Sequence, residues 1–214
     1  MTLILASGSP RRQELIQLLG QPWQVIVADV DESSIDHPDP AVNVIQTAQL
    51  KAEAVSLLAP ANAVIIAADT IVVLDNQVLG KPAGEEEART MLRQLRGRNH
   101  QVFTGLTIIN KASGQTVTDA AAIDVPMRDY SDQEIESYIA TGDPLDKAGS
   151  YAIQHPGFQP VTDFSGCFAG VVGLPLCHLV RSLRKCDIAI EMDIAAVCQA
   201  HHRYDCPVFE TILD

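Results

Sequence analysis

The sequence predicts an α/β fold on three observations. Short apolar runs of strand length alternate along the chain with segments whose apolar residues follow the helical period. The 214 residues, 47% hydrophobic and 20% charged, suffice for one domain or two closely joined lobes whose core needs no disulfides. No internal repeat or low-complexity stretch interrupts this pattern.

The first predicted elements are a strand, a helix and a second strand. Residues 3–6 form a short apolar run, and residues 24–28 form another. Between them Ser9 is a suitable N-cap, Pro10 suits the first helical position, and Gly20 is a typical helix stop.

The central part of the chain predicts a long helix followed by mostly β-structure. Asp39-Pro40 begins a helix that extends to about Leu58. Polar turns at residues 75–77 and 111–115 suggest hairpins. The other elements predicted here are strands over residues 63–68, 71–74, 101–109 and 116–125 and a helix over residues 84–95.

The last third predicts both helices and short strands. Ser131 and Glu134 have the spacing of a capping box and begin a helix. A glycine-containing turn leads into a short strand that ends at Gln154, and Val171-Val172 suggest another short strand. A helix follows over residues 175–185, and the remaining residues alternate helical and extended patterns.

Charge and composition exclude several classes of protein. A net charge of −12 and a pI near 4.8 argue against a surface that binds nucleic acid through many phosphates or docks on an anionic membrane. The longest apolar stretch, residues 63–74, is shorter than the roughly 20 residues of a membrane span, and no signal peptide is recognisable. Five cysteines, all in the last quarter, do not fit a secreted disulfide framework. We therefore expect a cytoplasmic protein without nucleic-acid or membrane partners.

The first candidate site is the segment Ser-Gly-Ser-Pro-Arg-Arg at residues 7–12, where a strand ends and a helix begins. Free N–H groups and a partial positive charge at a helix N-terminus suit an anion. Two arginines in the first turn are locally unfavourable by about 0.3–1 kcal/mol each, which suggests that they meet an anion such as phosphate. The alternative is a solvated arginine pair on a surface helix.

Asp69 is the second candidate, because its carboxylate lies inside an apolar run. Burying an unpaired charge is costly, so Asp69 is expected to meet a cation, a metal ion or a cleft. The alternative is a turn aspartate between two strands.

Other polar residues are candidates of lower specificity. Lys81 has a defined backbone setting between a glycine and a proline, and the alternative is an ordinary exposed lysine. Lys51 lies on the long helix, and nothing in its local sequence distinguishes it from a surface lysine. Asp31-Glu32 can hold Mg²⁺ or Mn²⁺ or belong to a solvated loop. The amide of Gln154 can pair with a base edge or with water and backbone.

The C-terminal residues Cys198, His201, His202 and Cys206 are of zinc-ligand type. Their spacing matches no standard zinc module, so reduced, partly buried thiols are the favoured interpretation and a zinc-binding module is the alternative.

Several of these segments, in this order, resemble the Maf family of nucleoside triphosphate pyrophosphatases. The resemblance spans residues 3 to about 184, with departures at Leu50 and at Gly-Cys-Phe-Ala-Gly over residues 166–170. The segments that carry it are residues 3–15, Val30-Asp31-Glu32, residues 48–52, Ala68-Asp69-Thr70, Gly80-Lys81-Pro82, and residues 97–105, 146–154 and 172–176.

The resemblance implies a two-lobed α/β fold with a mixed, curved sheet, flanking helices and a central cleft, related to the inosine triphosphatase fold. It implies cleavage of a nucleoside triphosphate between the α- and β-phosphates, with a divalent cation, Mg²⁺ or Mn²⁺, as cofactor, by a homodimer. Residues 1–185 would form this pyrophosphatase domain, and residues 186–214 a C-terminal extension that the resemblance does not explain.

The matching positions imply a role for each candidate. Asp69 corresponds to the catalytic aspartate that orients or deprotonates the attacking water, and Asp69 and Glu32 correspond to the metal site. The implied phosphate-binding residues are Ser7, Ser9, Arg12, Lys51 and Lys81.

Arg11, Thr70 and Gln154 resemble the subgroup that hydrolyses dTTP and UTP. The subgroup that hydrolyses 7-methyl-GTP typically has an aromatic residue in place of Arg11 and glutamine in place of Thr70. Uracil and thymine present two carbonyl acceptors around one N–H, which Gln154 and Thr70 can complement. The alternatives are a pyrophosphatase for another base, such as that of 7-methyl-GTP, and a non-hydrolysing nucleotide-binding regulator of cell division.

Overall fold

The computed structural model describes residues 2–214 and has a mixed α/β fold, as predicted. Its strands are β1 Thr2–Leu5, β2 Trp23–Val25, β3 Ala63–Leu74, β4 Gln77–Leu79, β5 Asn99–Asn110 and β6 Gln115–Pro126. Its helices are α1 Pro10–Gln17, α2 Pro40–Leu58, α3 Glu85–Leu95, α4 Asp132–Ile139, α5 Phe168–Val172, α6 Leu176–Lys185, α7 Ile194–His202 and α8 Phe209–Leu213.

The strands form one sheet in the order β2-β1-β3-β5-β6, and β4 pairs with the second half of β3. β1 is parallel to β2 and β3, whereas the other pairs are antiparallel. β1 ends while its neighbour β3 continues, and the N–H of Ala6 still donates to the carbonyl of Ile66 (2.8 Å). The loop after β1 therefore lies beside the middle of β3, where Asp69 and Thr70 are found.

Local signals predicted two helix starts correctly. The carboxylate of Asp39 caps α2 by accepting hydrogen bonds from the N–H groups of Ala41 and Val42, at 2.9 and 3.4 Å. Ser131 and Glu134 form the reciprocal hydrogen bonds of a capping box at the start of α4. Both motifs act within one turn of helix, so they do not depend on distant residues.

The predicted interruption of the strand at Asp69 and Thr70 is wrong. β5 pairs with β3 from Val64 to Val73 without a break, so both residues belong to the ladder. Asp69 is therefore not a turn aspartate, because twelve residues of β3 form one continuous strand.

Two predicted short strands are also wrong. Val171-Val172 end helix α5, which terminates at Gly173 with a positive φ of 119°. Two short 3₁₀ helices precede Gln154, and they are joined through Lys147. Gly149, with a φ of 68°, forms the predicted glycine-containing turn, but residues 151–154 after it belong to no strand.

Hydrophobic layers cover both faces of the sheet. On one face Ala48 and Ala52 of α2 pack against Ile65 and Ala67 of β3. The other face carries the larger core, to which the C-terminal extension contributes isoleucines, namely Ile188, Ile190, Ile194 and Ile212. None of the helices in residues 2–214 combines the length and hydropathy of a membrane-spanning segment.

Candidate active site

A cleft of about 890 Å³ opens beside the carboxyl end of β1 and the middle of β3. Strand ends of this kind are a common place for ligands in α/β sheets. The fold brings to this cleft every residue to which the family resemblance gave a role: Ser7, Ser9, Arg11, Arg12, Glu32, Lys51, Asp69, Thr70, Lys81 and Gln154.

Lys51 connects the two candidate carboxylates. Its Nζ lies 2.7 Å from Oδ1 of Asp69 and 2.7 Å from Oε2 of Glu32. The side chains of Lys51 and Asp69 are each only 14% exposed, whereas that of Glu32 is 55% exposed. Asp69 thus meets the cation that its position in an apolar run predicted, and Lys51 is not the ordinary surface lysine that its local sequence allowed.

Close packing of α2 on the sheet makes this contact possible. Gly105 lies opposite Asp69 in the β3–β5 ladder, and a Cβ at Gly105 would lie 2.5 Å from the backbone of Val44 in α2. Because glycine stands there, α2 can approach the sheet closely, and Lys51, two turns further along, reaches Asp69. Glu32 completes the cluster from a short 3₁₀ helix, Glu32–Ser34, which the carboxylate of Asp31 caps.

Arg12 is bound within the protein rather than solvated. Its Nε donates to the carbonyl of Gly173 (2.9 Å), and its Nη1 to the carbonyl of Ala68 (2.8 Å). Nη1 also donates to Oγ of Ser7 (3.4 Å), and Nη2 donates to Oγ1 of Thr70 (3.0 Å). Burial lowers the pKa of this guanidinium, and the nearby Asp69 carboxylate raises it. Arg12 therefore joins three segments of the cleft wall, and its phosphate-binding role stays a prediction.

Thr70 belongs to a chain of hydrogen bonds that the sequence analysis missed. It stands directly opposite Thr104 in the antiparallel ladder, and the two hydroxyls lie 2.9 Å apart. Thr104 is fully buried and donates to the carbonyl of Gly170 (2.9 Å). A threonine in a strand is ordinary, so the residue type gave no signal. Thr104 lies within the matching segment, residues 97–105, but only the register of β3 and β5 identifies it as the partner of Thr70.

Arg11, the other arginine, is turned toward a different partner. Its Nη1 lies 3.7 Å from Oδ2 of Asp146. Asp146 also accepts from Nζ of Lys147 (2.6 Å), and Lys147 in turn donates to the carboxylate of Asp143 (2.9 Å). One carboxylate of the 3₁₀ segment before Gln154, that of Asp146, therefore faces the Arg11 guanidinium at the cleft.

Gln154 and Lys81 line the cleft as exposed residues. The segment before Gln154 is held from behind by Tyr151, whose hydroxyl lies 2.8 Å from Nε2 of His100. The rings of Tyr151 and His100 meet edge to face at 5.3 Å. This buried pair ties β5 to the segment that carries Gln154.

The buried His100 makes the fold sensitive to acid. Burial lowers its pKa from 6.5 to about 4, so the folded protein keeps the imidazole neutral, while the unfolded chain protonates it more readily. As pH falls from 6.5 toward 4, this site stabilises the unfolded state. We expect His100 alone to reduce the free energy of unfolding by about 2 kcal/mol between pH 7 and pH 5.

Urea denaturation of the wild type and of His100→Gln at both pH values measures this effect. Glutamine keeps an amide partner for the Tyr151 hydroxyl and does not titrate, so the variant should lose less stability on acidification. An equal loss in both proteins would contradict the assignment.

The zinc alternative for the C-terminal residues finds no support. No three His, Cys, Asp or Glu side chains in the part of the chain that the structure describes are arranged to hold a metal ion. All five cysteines are free thiols, and burial raises the pKa of Cys167 and Cys198 to about 12. Cys167 and Cys198 are therefore protonated at neutral pH. The five thiols are buried or partly buried, as the favoured interpretation predicted.

Comparison with known proteins gives strong matches. The sequence profile of the family described as Maf-like protein matches residues 2–186. The dTTP/UTP pyrophosphatase of Alkaliphilus metalliredigens is 46% identical over 183 residues, which are 86% of this chain and 95% of that protein. Those of Bacillus mycoides and Desulforamulus reducens are 44% and 43% identical over 185 and 188 residues, covering 86% and 88% of this chain and 95% and 98% of those proteins.

Similarity to solved structures is weaker. The Ham1 protein of Staphylococcus aureus is 16% identical with a TM-score of 0.48, over 95% of this chain and 98% of that chain. A nucleoside-triphosphatase/dITP/XTP pyrophosphatase of Mycobacterium abscessus is 14% identical with a TM-score of 0.42, over 59% and 74% of the two chains. These values are too low to support an inference about function.

Proposed function

Because this chain belongs to the Maf family, we propose that it is a nucleoside triphosphate pyrophosphatase that hydrolyses dTTP and UTP to the monophosphate and pyrophosphate. The relatives named above carry that activity in their names and match most of this chain. Modified pyrimidine nucleotides belong to the same substrate class, since they share the base edge.

One observation carries the proposal: the Lys51 ammonium lies 2.7 Å from the carboxylates of both Asp69 and Glu32 within the cleft. A mostly buried carboxylate beside a cation is suited to hold and orient a water molecule for attack on phosphorus. The ammonium is equally suited to a phosphate oxygen. A carboxylate that can act as a general base and a cation that can bind phosphate thus lie side by side in the cleft.

A divalent cation, Mg²⁺ or Mn²⁺, is part of the proposal, with Glu32 and Asp69 as the residues that would hold it. Their carboxylates converge on a single cation, Lys51, so the donor set suits a hard metal ion. Two carboxylates with phosphate oxygens are a usual site for Mg²⁺. When bound, the metal would offset phosphate charge and lower the pKa of a bound water molecule.

The chain's own residues divide the remaining work. The triphosphate would be bound by cations and hydroxyls that border the cleft, namely those of Lys51, Lys81, Ser7 and Ser9. Phosphoryl chemistry depends mainly on such positioning and charge stabilisation. Arg12, whose N–H groups are mostly engaged within the protein, would chiefly fix the cleft wall.

Base selection is proposed for Arg11, Thr70 and Gln154. The Thr70 hydroxyl is fixed between Arg12 and Thr104, so it presents a defined partner to a base. A methylated, cationic guanine favours aromatic stacking, whereas Arg11 stands where the 7-methyl-GTP subgroup has an aromatic residue. These features favour dTTP and UTP over 7-methyl-GTP.

The remaining parts of the proposal concern the cell. The five free thiols support a reducing compartment, and we propose the cytoplasm. The net charge of −12 supports a protein that does not bind nucleic acid. The homodimer follows from the family resemblance, and analytical ultracentrifugation of the purified chain tests it.

The decisive experiment measures pyrophosphate release from dTTP, UTP, CTP, GTP, ATP and 7-methyl-GTP, each with Mg²⁺, Mn²⁺ or excess EDTA. We expect release concentrated on dTTP and UTP, and its loss with EDTA. Preference for 7-methyl-GTP would favour the other subgroup. Tight UTP binding by calorimetry without turnover would favour a nucleotide-binding regulator of cell division instead.

A further inference from the structure

The C-terminal extension, residues 186–214, lies almost entirely beyond the family match, which ends at residue 186. The relatives are matched over 95–98% of their own length by 183–188 residues of this chain. They therefore have no comparable segment of this length. The extension is also no loose tail, since its isoleucines belong to the main core and Arg181 of α6 donates to the carbonyl of Ile212 (3.1 Å).

The loop between α7 and α8 contacts the segment at which this sequence departs from the family. The hydroxyl of Tyr204 lies 3.2 Å from the carbonyl oxygen of Phe164 and 3.1 Å from that of Gly166. The ring of Tyr204 also packs on the rings of Phe164 and Phe168, at 5.5 and 5.6 Å. His202, at the end of α7, adds a second ring 4.6 Å from that of Phe168.

The Tyr204 loop is itself well fixed. The N–H of Cys206 donates to Oε1 of Gln199 in α7 (2.9 Å), and Arg203 adopts the left-handed conformation that ends this helix. The backbone of this loop and the packing of the Tyr204 ring on Phe164 and Phe168 together fix the position of the Tyr204 hydroxyl. It can determine where residues 164–166 lie.

Residues 164–166 precede α5, and two sets of hydrogen bonds connect α5 and its C-terminal end to the specificity residue Thr70. The carbonyl of Gly170 accepts from Thr104, whose hydroxyl meets that of Thr70. The carbonyl of Gly173, where α5 ends, accepts from Arg12, which donates to the same Thr70 hydroxyl. Val171 and Val172 of α5 line the cleft themselves. A shift of α5 would thus move both partners of Thr70 and one wall of the cleft.

We propose that Tyr204 is a positioning residue for base selection. Its hydroxyl fixes residues 164–166, and thereby holds α5 in the place where Gly170 and Gly173 orient Thr104, Arg12 and, through them, Thr70. The C-terminal extension is on this view a part of the substrate site, although none of its residues lines the cleft. The inference rests on the proposed pyrophosphatase function.

Tyr204→Phe in the full chain tests the proposal, because it removes only the hydroxyl. We expect KM for dTTP and UTP to rise about fivefold, which corresponds to the net free-energy contribution of one hydrogen bond. The value of kcat should change less than about twofold. The preference for dTTP over CTP should fall by a similar factor. A merely structural hydroxyl would lower Tm and leave KM and the preference unchanged.

Tyr130→Phe is the matched control. The Tyr130 hydroxyl also donates to a backbone carbonyl, that of Leu92 (2.8 Å), but Tyr130 is buried and lies outside the cleft and outside the Thr70 contacts. Its loss should lower Tm without changing KM. Thr104→Val and the double variant with Tyr204→Phe complete a double-mutant cycle, in which the effects on KM should be less than additive.

The outcomes are distinct. An inactive wild type would remove the proposed function, whereas an active wild type with unchanged KM and substrate preference in Tyr204→Phe would remove this inference alone. Additive effects in the cycle with Thr104→Val would equally contradict the path through α5.

Discussion

Asp69→Asn should lower kcat for dTTP by at least about 100-fold, the range expected when a general base is lost. Asparagine cannot take a proton from water and carries no charge for a metal ion. The fold should survive, because Glu32 remains 2.7 Å from the Lys51 ammonium and keeps it paired. We expect Tm to fall by no more than about 4 °C, equivalent to about 1 kcal/mol. Steady-state kinetics and differential scanning calorimetry measure both quantities.

Asp75→Asn is the control for this variant. Asp75 follows β3 in the hairpin turn, with its carboxylate 69% exposed and paired with Arg98. Its φ of 51° is tolerated by asparagine, and an exposed ion pair contributes little stability. The control should keep wild-type kinetics. If Asp69→Asn also retains turnover, Asp69 is not the catalytic base.

Arg12→Lys should have the second largest effect, on stability as well as activity. Lysine keeps the charge, but its single ammonium cannot reach the carbonyls of Gly173 and Ala68 and the Thr70 hydroxyl together. Two partly buried carbonyls then lose their partners, at a cost of about 3 kcal/mol. Tm should fall by about 6–12 °C. The rate with dTTP should also fall, since Thr70 loses one of its two fixed partners.

Arg11→Lys tests whether the two arginines have different roles, with Arg11 contacting the substrate and Arg12 supporting the cleft wall. Arg11 has one loose ion pair, to Asp146 at 3.7 Å, so Tm should hardly change and any effect should lie in KM. If instead Arg12→Lys leaves Tm unchanged and raises only KM, Arg12 is chiefly a phosphate ligand, as the family resemblance implies, and the structural role assigned to it is wrong.

Secondary structure could be predicted wherever the signal is local. The caps at Asp39 and Ser131 each act within one helical turn, and both helices begin where expected. The break expected near Asp69 was wrong because a strand's continuity depends on its neighbour, and β5 pairs across it. The β-branched pair Val171-Val172 suggested a strand, but no other strand pairs with it, and it ends a helix.

The candidate site could be predicted to a similar extent. The residue types and their order identified the cleft residues, because each stands in a recognisable local pattern or matches the family. The contacts among them could not be predicted. Lys51 lies 18 positions before Asp69, and Arg12 is 161 positions from Gly173, so only the fold brings these pairs together.

The sequence by itself determined the α/β class, the family and the residues that border the cleft, because these depend on local patterns and on motifs in order. Only the tertiary structure decided that Lys51 joins Asp69 to Glu32, that Arg12 is hydrogen-bonded to the cleft wall, and that Thr104 pairs with Thr70. It likewise placed the C-terminal extension against Phe168 of α5. Charge pairing, strand register and close packing act between residues distant in the chain, and no local pattern records them.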